Sequence, residues 1–495
     1  MTPTPAQLAA IMPLLIPALG ACLLPIASLD SDQATVKWIR ASMFFIALLA
    51  LTGAFFHLTH LWATGAQPGF GALRMDRLAQ FGGIFVLVAA AMAVLQLWDH
   101  LHQEGWVKGE TLSLLLFSVT GMILFCATGN LLLLFLALEL LSLPLYALTA
   151  SVRMREQAME GGMKYFITGA VASASFLMGS VLLYGATGSL DITVIGTRLA
   201  LGGALDPVAL AGAALLLLGF LFKMSVVPFH QWTPDVYEAA PHPIAGFMSV
   251  ATKGVALLAL MRVMAVALPA VGPQLRSALA VLAVCSLVLG NLAALAQTSI
   301  KRMLAYSSIS HAGYLLLGFV AATPGAYAGM LFYLLAYLAM NMGAFGMLSA
   351  FGLVGEKASF DGLRGLGWKR PGLGIAVSLC MISLAGLPPM AGFYGKYMIF
   401  KELILQGHVG LAVVGVLASL VSVYYYLAVP VALFMGKPSE QQEREAAEQP
   451  AVVAPLAGAT VLICGFLVLA MGLIPGTVMI GFAQRAAQDT LGLLP

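Results

Sequence analysis

Charged residues are scarce in this sequence, and their scarcity excludes a soluble fold. Only 9% of the 495 residues are charged, whereas 61% are hydrophobic, and an ordinary soluble domain has roughly 25% charged residues. Uncharged runs such as residues 111–138 are longer than the roughly 20 residues that cross a bilayer as a helix. The composition therefore predicts an all-α integral membrane protein surrounded by membrane lipid.

The sequence also lacks the motifs of cofactor-binding proteins. It contains no Gly-rich phosphate loop and no strand pattern, and its net charge of +3 does not indicate a nucleic-acid surface. The cysteines are too far apart to ligate a metal or an iron-sulfur cluster together. We therefore expect no redox cofactor, metal or nucleic acid on this chain. The five cysteines are Cys22, Cys126, Cys285, Cys380 and Cys464.

What the sequence does contain is about fourteen apolar segments of transmembrane length. Polar, Pro/Gly-rich loops separate them, and Lys and Arg concentrate in the loops that follow odd-numbered segments. The positive-inside rule then predicts both termini on the outer, periplasmic side and a cytoplasmic loop from Lys437 to Gln449. The predicted spans are 7–28, 38–63, 78–98, 111–128, 130–150, 163–185, 208–228, 243–268, 274–297, 303–320, 326–352, 373–403, 411–435 and 453–480.

Two spans carry prolines beside a lysine, between Phe220 and His230 and between Leu384 and Tyr397. Proline removes an amide donor and clashes with the preceding turn, so both helices should unwind at mid-depth. Broken helices in corresponding places are typical of inverted-repeat transporters. We expect two inverted five-helix repeats, each with one broken helix. The expected regions are 1–110, 111–268 (first repeat), 269–435 (second repeat) and 436–495.

Ionisable side chains inside these apolar spans are the candidates for function. A charge at the bilayer centre costs at least about 2.5 to 3.5 kcal/mol, so such groups must face one another or water. A snorkelling or structural ion pair is the alternative, and it weighs most for Lys164, close to a cytoplasmic end. The candidates for a proton path are Glu139, Lys164, Lys223, Lys253 and Lys396, with His230 and His311 nearer span edges.

Glu139 is the only acid deep in an apolar span, so we predict that it pairs with Lys223. Burial disfavours a charged lysine and a nearby carboxylate favours it, so movement of the carboxylate or its proton would switch the lysine's charge. Lys253 and Lys396 would continue the line across the membrane, with water or histidine bridging the gaps.

Other polar residues receive a structural interpretation. Asp235 and Glu238 lie in a predicted loop, where a structural or subunit-contact role is expected, and the remaining aromatic residues are interpreted as packing. For His311 a satisfied core histidine is as compatible with the sequence as a place in a water path.

Five motifs within spans four to thirteen are long enough to identify a family. They are Leu-Glu-Leu-Leu-Ser-Leu-Pro-Leu-Tyr (138–146), Lys-Tyr-Phe (164–166), Val-Pro-Phe-His-Gln-Trp-Thr-Pro-Asp-Val-Tyr-Glu-Ala-Ala-Pro (227–241), Ile-Lys-Arg-Met-Leu-Ala-Tyr-Ser-Ser-Ile-Ser-His-Ala-Gly-Tyr (300–314) and Gly-Leu-Pro-Pro-Met-Ala-Gly-Phe-Tyr-Gly-Lys (386–396). These motifs resemble those of the antiporter-like membrane subunits of respiratory complex I, NADH:quinone oxidoreductase. Lys396 argues against subunit M of that family, which has a glutamate there, and His242 departs from the usual small residue.

The resemblance implies a proton-translocating role driven by quinone reduction elsewhere in the complex. Glu139 and Lys223 would couple to the neighbouring unit, Lys253 would connect, and Lys396 would serve the exit half-channel. Partner subunits would bind NADH, FMN, the iron-sulfur clusters and quinone. The chain would lie in the bacterial inner membrane between subunit M and smaller membrane subunits, and we expect it to lack the lateral helix of subunit L.

Three other functions remain open at this point. One is a subunit of a multi-subunit Mrp-type sodium/proton antiporter, whose relatives usually have Leu-Pro-Asp-Ala in the 227–241 loop. Another is a membrane subunit of a hydrogenase-type relative. The last is a scaffold subunit whose buried charges only fix helix packing.

Overall fold

The computed structural model describes residues 4–27, 36–104, 108–152, 155–201, 206–437, 454–474 and 479–491. Helices dominate these ranges because a helix satisfies its backbone hydrogen bonds internally, as the apolar bilayer requires. Twelve helices in the described ranges are long and apolar enough to cross a membrane. The prediction of an all-α, multi-pass membrane protein is confirmed.

The first part of the chain contains nine helices and one hairpin within the described residues. Strands β1 (Gly69–Phe70) and β2 (Leu73–Arg74) pair around Gly71, whose φ of +58° permits the tight turn. The expectation of no strand was wrong here, because two-residue strands leave no alternating pattern. The helices are α1 (Pro5–Ala27), α2 (Val36–Thr64), α3 (Arg77–Glu104), α4 (Gly109–Ala127), α5 (Leu131–Thr149), α6 (Glu156–Thr187), α7 (Ile192–Leu201), α8 (Pro207–Lys223) and α9 (Trp232–Ala239).

The second part continues with a long helix that has two π-helical stretches, Met248–Thr252 and Val263–Ala267. The helices are α10 (His242–Ala267), α11 (Gly272–Leu295), α12 (Ile300–Ala321), α13 (Pro324–Ala350), α14 (Leu366–Lys369), α15 (Pro371–Ala385), α16 (Ala391–Leu405), α17 (Val409–Met435), α18 (Pro455–Leu473) and α19 (Met479–Leu491).

Twelve of the predicted spans each coincide with one long helix, and the other two contain the predicted interruptions. The predicted span 208–228 stops early, since α8 ends at Lys223, and span 373–403 divides into α15 and α16. The predicted span 453–480 was too long, because α18 ends at Leu473 and the short helix α19 follows. Helices α7, α9, α14 and α19 were not predicted. The Lys437–Gln449 loop lies, after Lys437, outside the described residues.

The helices differ in how much of their surface the chain itself covers. The apolar window of α10 is 100% buried and those of α12 and α13 are 94% buried, whereas α1, α2, α6, α11 and α17 are only 39% buried. The three buried helices therefore form the centre of the molecule, and the five helices with little burial lie at its periphery. The central helices α10 and α12 carry Lys253 and His311.

Candidate functional site

Lys223 lies in an aromatic cage at the end of a half-helix. It is the last residue of α8, it is 3% exposed, and its ammonium donates to the Tyr165 hydroxyl at 3.3 Å. Its Nζ lies 4.9 Å from the ring centre of Tyr165 and 5.4 Å from that of Tyr146. Aromatic ring faces and the C-terminal end of a helix both attract a cation. The rings and the helix end can therefore stabilise the charged Lys223 without a carboxylate in contact with it.

Glu139 does not form the predicted direct pair with Lys223. In the described part of the chain its carboxylate has no ion-pair partner, and its buried Oε1 has no hydrogen-bond partner. The residue is partly exposed rather than deeply buried. Tyr146, seven residues later and so on the same face of α5, takes the place beside Lys223.

Lys253 is fully buried and contacts only neutral oxygen atoms among the described residues. It donates to the Ser308 hydroxyl at 2.6 Å and to the Ser308 carbonyl. The Tyr337 hydroxyl donates to the same Ser308 hydroxyl at 2.9 Å. The Asn341 amide in turn donates to the oxygens of Tyr337 at 2.9 Å and Ser249 at 2.7 Å. These residues, Lys253, Ser308, Tyr337, Asn341 and Ser249, form what we call the Lys253 group.

His311 bridges two tyrosine hydroxyls next to the Lys253 group. Its Nδ1 lies 2.5 Å from the Tyr333 hydroxyl and its Nε2 lies 2.8 Å from the Tyr426 hydroxyl, which also contacts Ser307. A neutral imidazole donates through one nitrogen and accepts through the other. The His311 and Tyr337 ring centres are 4.9 Å apart. The histidine is therefore satisfied by hydrogen bonds and also suited to pass a proton between hydroxyls.

Lys396 lies at the second interruption, and its ammonium has more hydrogen-bond acceptors around it than that of Lys223. Its ammonium donates to the carbonyls of Leu384 and Ala385, each at 3.2 Å, and to the Ser419 hydroxyl at 2.8 Å. It also lies 4.4 Å from the Tyr314 ring centre. The two carbonyls end half-helix α15, where a cation is favoured. Lys396 and Ser419 line a cavity of about 490 Å³ between α16 and α17.

Two predicted candidates lie apart from these groups. Lys164 was expected inside an apolar span, but its side chain is 44% exposed and pairs with Glu160 at 2.6 Å and Asp235 at 2.8 Å. This geometry fits the structural ion pair considered for it, since its position near the end of a helix reaches the surface. His230 lies partly buried between α8 and α9, and its Nδ1 has no hydrogen-bond partner among the described residues.

The sequence interpretation missed the tyrosines, which were assigned to packing. Tyr314, Tyr333, Tyr337 and Tyr426 supply the hydroxyls around His311 and Lys396, and Tyr425 donates to Asn291 at 2.8 Å. A signal was available for three of them, because Tyr314 follows His311 by three residues and Tyr425 and Tyr426 are adjacent.

A buried ion pair away from the lysines was also missed. Arg262, 2% exposed, binds Asp76 through two hydrogen bonds of 2.5 and 2.7 Å and also donates to the Cys126 carbonyl. It joins α10 to α4 and to the start of α3. We interpret the Arg262–Asp76 ion pair as a structural contact that holds α10 against its neighbours.

Known proteins share this arrangement of helices. A family model described as NADH:quinone oxidoreductase/Mrp antiporter, TM, matches residues 128–422. The chain belongs to that NADH:quinone oxidoreductase/Mrp antiporter family. Within the family, NADH-quinone oxidoreductase subunit N of Salinibacter ruber is 38% identical over 95% of this chain and 94% of its own length. The subunit N of Trichlorobacter lovleyi is 41% identical over 90% of both chains. The chain is thus a member of the subunit N group.

Chains of two solved complexes share the fold of this chain. A chain of Thermus thermophilus respiratory complex I with bound aureothin is 38% identical, has a TM-score of 0.78, and covers 94% of this chain and 98% of that one. A chain of the Mrp complex from Dietzia has a TM-score of 0.82 over 98% of both chains, but it is only 19% identical. The latter likeness shows the shared fold alone.

Proposed function

We propose that this chain is a proton-translocating membrane subunit of NADH:quinone oxidoreductase, in which electron transfer to quinone drives protons through its centre. The observation that carries the proposal is the series of buried lysines Lys223, Lys253 and Lys396, each hydrogen-bonded to neutral oxygens. A scaffold would gain more stability from apolar residues in these places than from buried charges. Identity near 40% to proteins named subunit N, against 19% to the Mrp chain, favours this function over an antiporter.

The geometry gives each residue a role in moving a proton. In this proposal Lys223 gains a proton while Glu139 is ionised, because a carboxylate favours the charged form of a nearby lysine. Neutralising Glu139, by a proton or a displacement, removes this support, and Lys223 releases its proton. The proton passes to Lys253 and then, by way of His311 and the tyrosine hydroxyls around it, to Lys396. Each hydroxyl accepts one proton and gives up another, so the path is restored after transfer.

The remaining features belong to the same proposal. The two interrupted helices each count as one crossing, which gives fourteen crossings with both termini periplasmic in a bacterial inner membrane. Regions 111–268 and 269–435 are the two inverted repeats. Partner subunits, among them subunit M and smaller membrane subunits, hold NADH, FMN, iron-sulfur clusters and quinone. No redox cofactor binds this chain, which acts in the enzyme as a translocating subunit.

The test replaces each buried lysine by methionine in the assembled complex. NADH-dependent quinone reduction and proton pumping are measured in native membranes for Lys223→Met, Lys253→Met and Lys396→Met. The exposed Lys369→Met is the matched control. We expect pumping to fall about tenfold or more in the three variants, equivalent to at least about 1.4 kcal/mol in a barrier, and not in the control. Parent-like pumping in all three would leave only the scaffold function.

A further inference from the structure

The hydroxyl of Tyr237, on the short helix α9, lies between the first helix interruption and the Lys253 group. Tyr237 is 0% exposed, and its hydroxyl is hydrogen-bonded to the side chains of Ser225 and Ser308. Ser225 lies in the turn that follows α8, whereas Ser308 lies on α12 and accepts from the Lys253 ammonium at 2.6 Å. One phenol oxygen therefore bridges the interrupted helix and the residue that binds the central lysine. We call the hydroxyls of Ser225, Tyr237 and Ser308 the Tyr237 wire.

The directions of these hydrogen bonds follow from the charge of Lys253. A protonated lysine has only donors, so the Ser308 oxygen accepts from it, and the same oxygen also accepts from the Tyr337 hydroxyl at 2.9 Å. Both lone pairs of Ser308 are then used, and its own hydrogen is donated to Tyr237. Tyr237 in turn donates to Ser225. The hydrogens of the Tyr237 wire thus point away from Lys253 while the lysine is charged.

A neutral Lys253 allows the opposite direction. Its amine nitrogen has a lone pair, so the Ser308 hydroxyl can donate to it and accept from Tyr237. Tyr237 can then accept from Ser225, because a hydroxyl has one donor and two lone pairs. The charge of Lys253 therefore determines in which direction the Tyr237 wire can carry the next proton.

The backbone of Ser225 is a second observation that points to its hydroxyl. Ser225 has a φ of +61°, in the left-handed region that glycine adopts freely and in which other residues are strained. Such strain is typical of functional sites. The described partners of its buried side chain are the hydroxyls of Tyr237 and of Thr233, which donates to Ser225 at 2.8 Å. Since glycine would fit this turn with less strain, the serine contributes its hydroxyl rather than a backbone preference.

We propose that Tyr237 passes protons between the first interruption and Lys253, through the hydroxyls of Ser225 and Ser308. This inference rests on the proposed function, because it supplies the step by which Lys253 receives a proton from the side of Lys223. Ser225 lies two residues after Lys223, so their Cα atoms are at most about 7 Å apart. The flexible four-carbon side chain of lysine can cover that distance by changing its rotamer.

One transfer leaves every hydroxyl of the wire intact. Lys223 gives a proton to the Ser225 oxygen, and Ser225 passes its own hydrogen to Tyr237. Tyr237 passes its hydrogen to Ser308, which passes its hydrogen to the Lys253 nitrogen. Each oxygen forms one O–H bond and loses one, Lys223 loses one N–H bond, and Lys253 gains one.

The variants Tyr237→Phe and Ser225→Gly interrupt the wire without replacing a lysine. Phenylalanine keeps the ring contacts of Tyr237 and lacks the hydroxyl, whereas glycine lacks the hydroxyl and also removes the backbone strain at Ser225. Tyr327→Phe is the matched control, since Tyr327 is a buried tyrosine near the start of α13 whose ring packs against Phe319. NADH-driven pumping, quinone reduction and the melting temperature are measured in the assembled complex for the single variants and for the double variant.

We expect Tyr237→Phe and Ser225→Gly each to lose about fivefold or more in pumping, because each removes a hydrogen-bonding hydroxyl from the wire. The double variant should lose no more than the more impaired single variant, since both changes interrupt one path. Ser225→Gly should melt at or above the temperature of the parent, and Tyr327→Phe should match the parent in every measurement.

Three results would overturn the wire. They are parent-like pumping in Tyr237→Phe, losses that multiply in the double variant, and a lower melting temperature that accompanies the loss in Ser225→Gly, since the last would assign that loss to packing. If Lys253→Met is impaired while Tyr237→Phe is not, the wire alone fails; if neither is impaired, the proposed function fails as well.

Discussion

The two helix interruptions place a lysine in opposite kinds of surroundings. Lys223 has aromatic rings, one hydroxyl and a distant carboxylate, whereas Lys396 has two helix-end carbonyls and a serine hydroxyl within 3.2 Å. One hydrogen bond holds the ammonium of Lys223, whereas three hold that of Lys396 in one position. On the proposed function, we therefore expect Lys223 to respond to the charge of Glu139 and Lys396 to hold the far end of the proton path.

Replacing each lysine by arginine should give the largest difference in proton pumping between the two interruptions. Lys396→Arg should lose about tenfold in pumping, because a planar guanidinium cannot reproduce the three hydrogen bonds that the ammonium makes to Leu384, Ala385 and Ser419. Lys223→Arg should lose less, since a guanidinium stacks on aromatic faces. Proton pumping per NADH oxidised measures both. Equal losses would show that the two surroundings do not differ in function.

Gly386→Ala should reduce pumping although it replaces no ionisable residue. Gly386 has φ +83°, and an added Cβ would meet Lys396; the backbone strain alone costs about 1–3 kcal/mol. Gly407→Ala is the control, because its φ of +81° gives the same strain with no atom within 4 Å. Thermal stability of the complex should fall similarly in both variants, and pumping should fall only in Gly386→Ala. A matching loss in Gly407→Ala would assign the effect to strain.

The aromatic cage around Lys223 predicts a smaller difference in proton pumping between the variants Tyr165→Phe and Tyr146→Phe. Tyr165→Phe removes the hydroxyl that accepts from Lys223, and a lost hydrogen bond to a charged group is worth about 1.5–3 kcal/mol. Tyr146→Phe removes a hydroxyl that has no hydrogen-bond partner among the described residues. We expect a several-fold loss of pumping for the first and almost none for the second. Parent-like pumping in both variants would show that the rings, which phenylalanine keeps, hold the lysine without the hydroxyl.

The smallest effect should come from Lys164. Its ion pairs with Glu160 and Asp235 are exposed, and such pairs contribute about 0–1 kcal/mol. Lys164→Met should therefore pump at the parent rate and show a slightly lower melting temperature of the complex. A pumping loss as large as that of Lys223→Met would return Lys164 to the proton path.

The sequence was sufficient for the long apolar helices, the two interruptions and the burial of Lys223, Lys253 and Lys396, because proline, lysine and apolar length act locally; it was not sufficient for the short helices or for the exposure of Lys164. The sequence was not sufficient to predict which side chains contact one another. The Glu139–Lys223 pair was predicted by elimination, since no other acid lay deep in a span. In the structure Tyr146, on the same face of α5, lies beside the lysine instead. The bonds of His311 and Asn341 join residues on different helices, and only the packed structure brings them together.

The central claim is that His311 connects the two interruptions. The most direct test is NADH-driven proton pumping by the assembled complex with His311→Leu, compared with the parent at equal amounts of complex. The account predicts at least about a tenfold loss, because leucine cannot join the Tyr333 and Tyr426 hydroxyls. Pumping at the parent rate would contradict a proton path through the centre of this subunit.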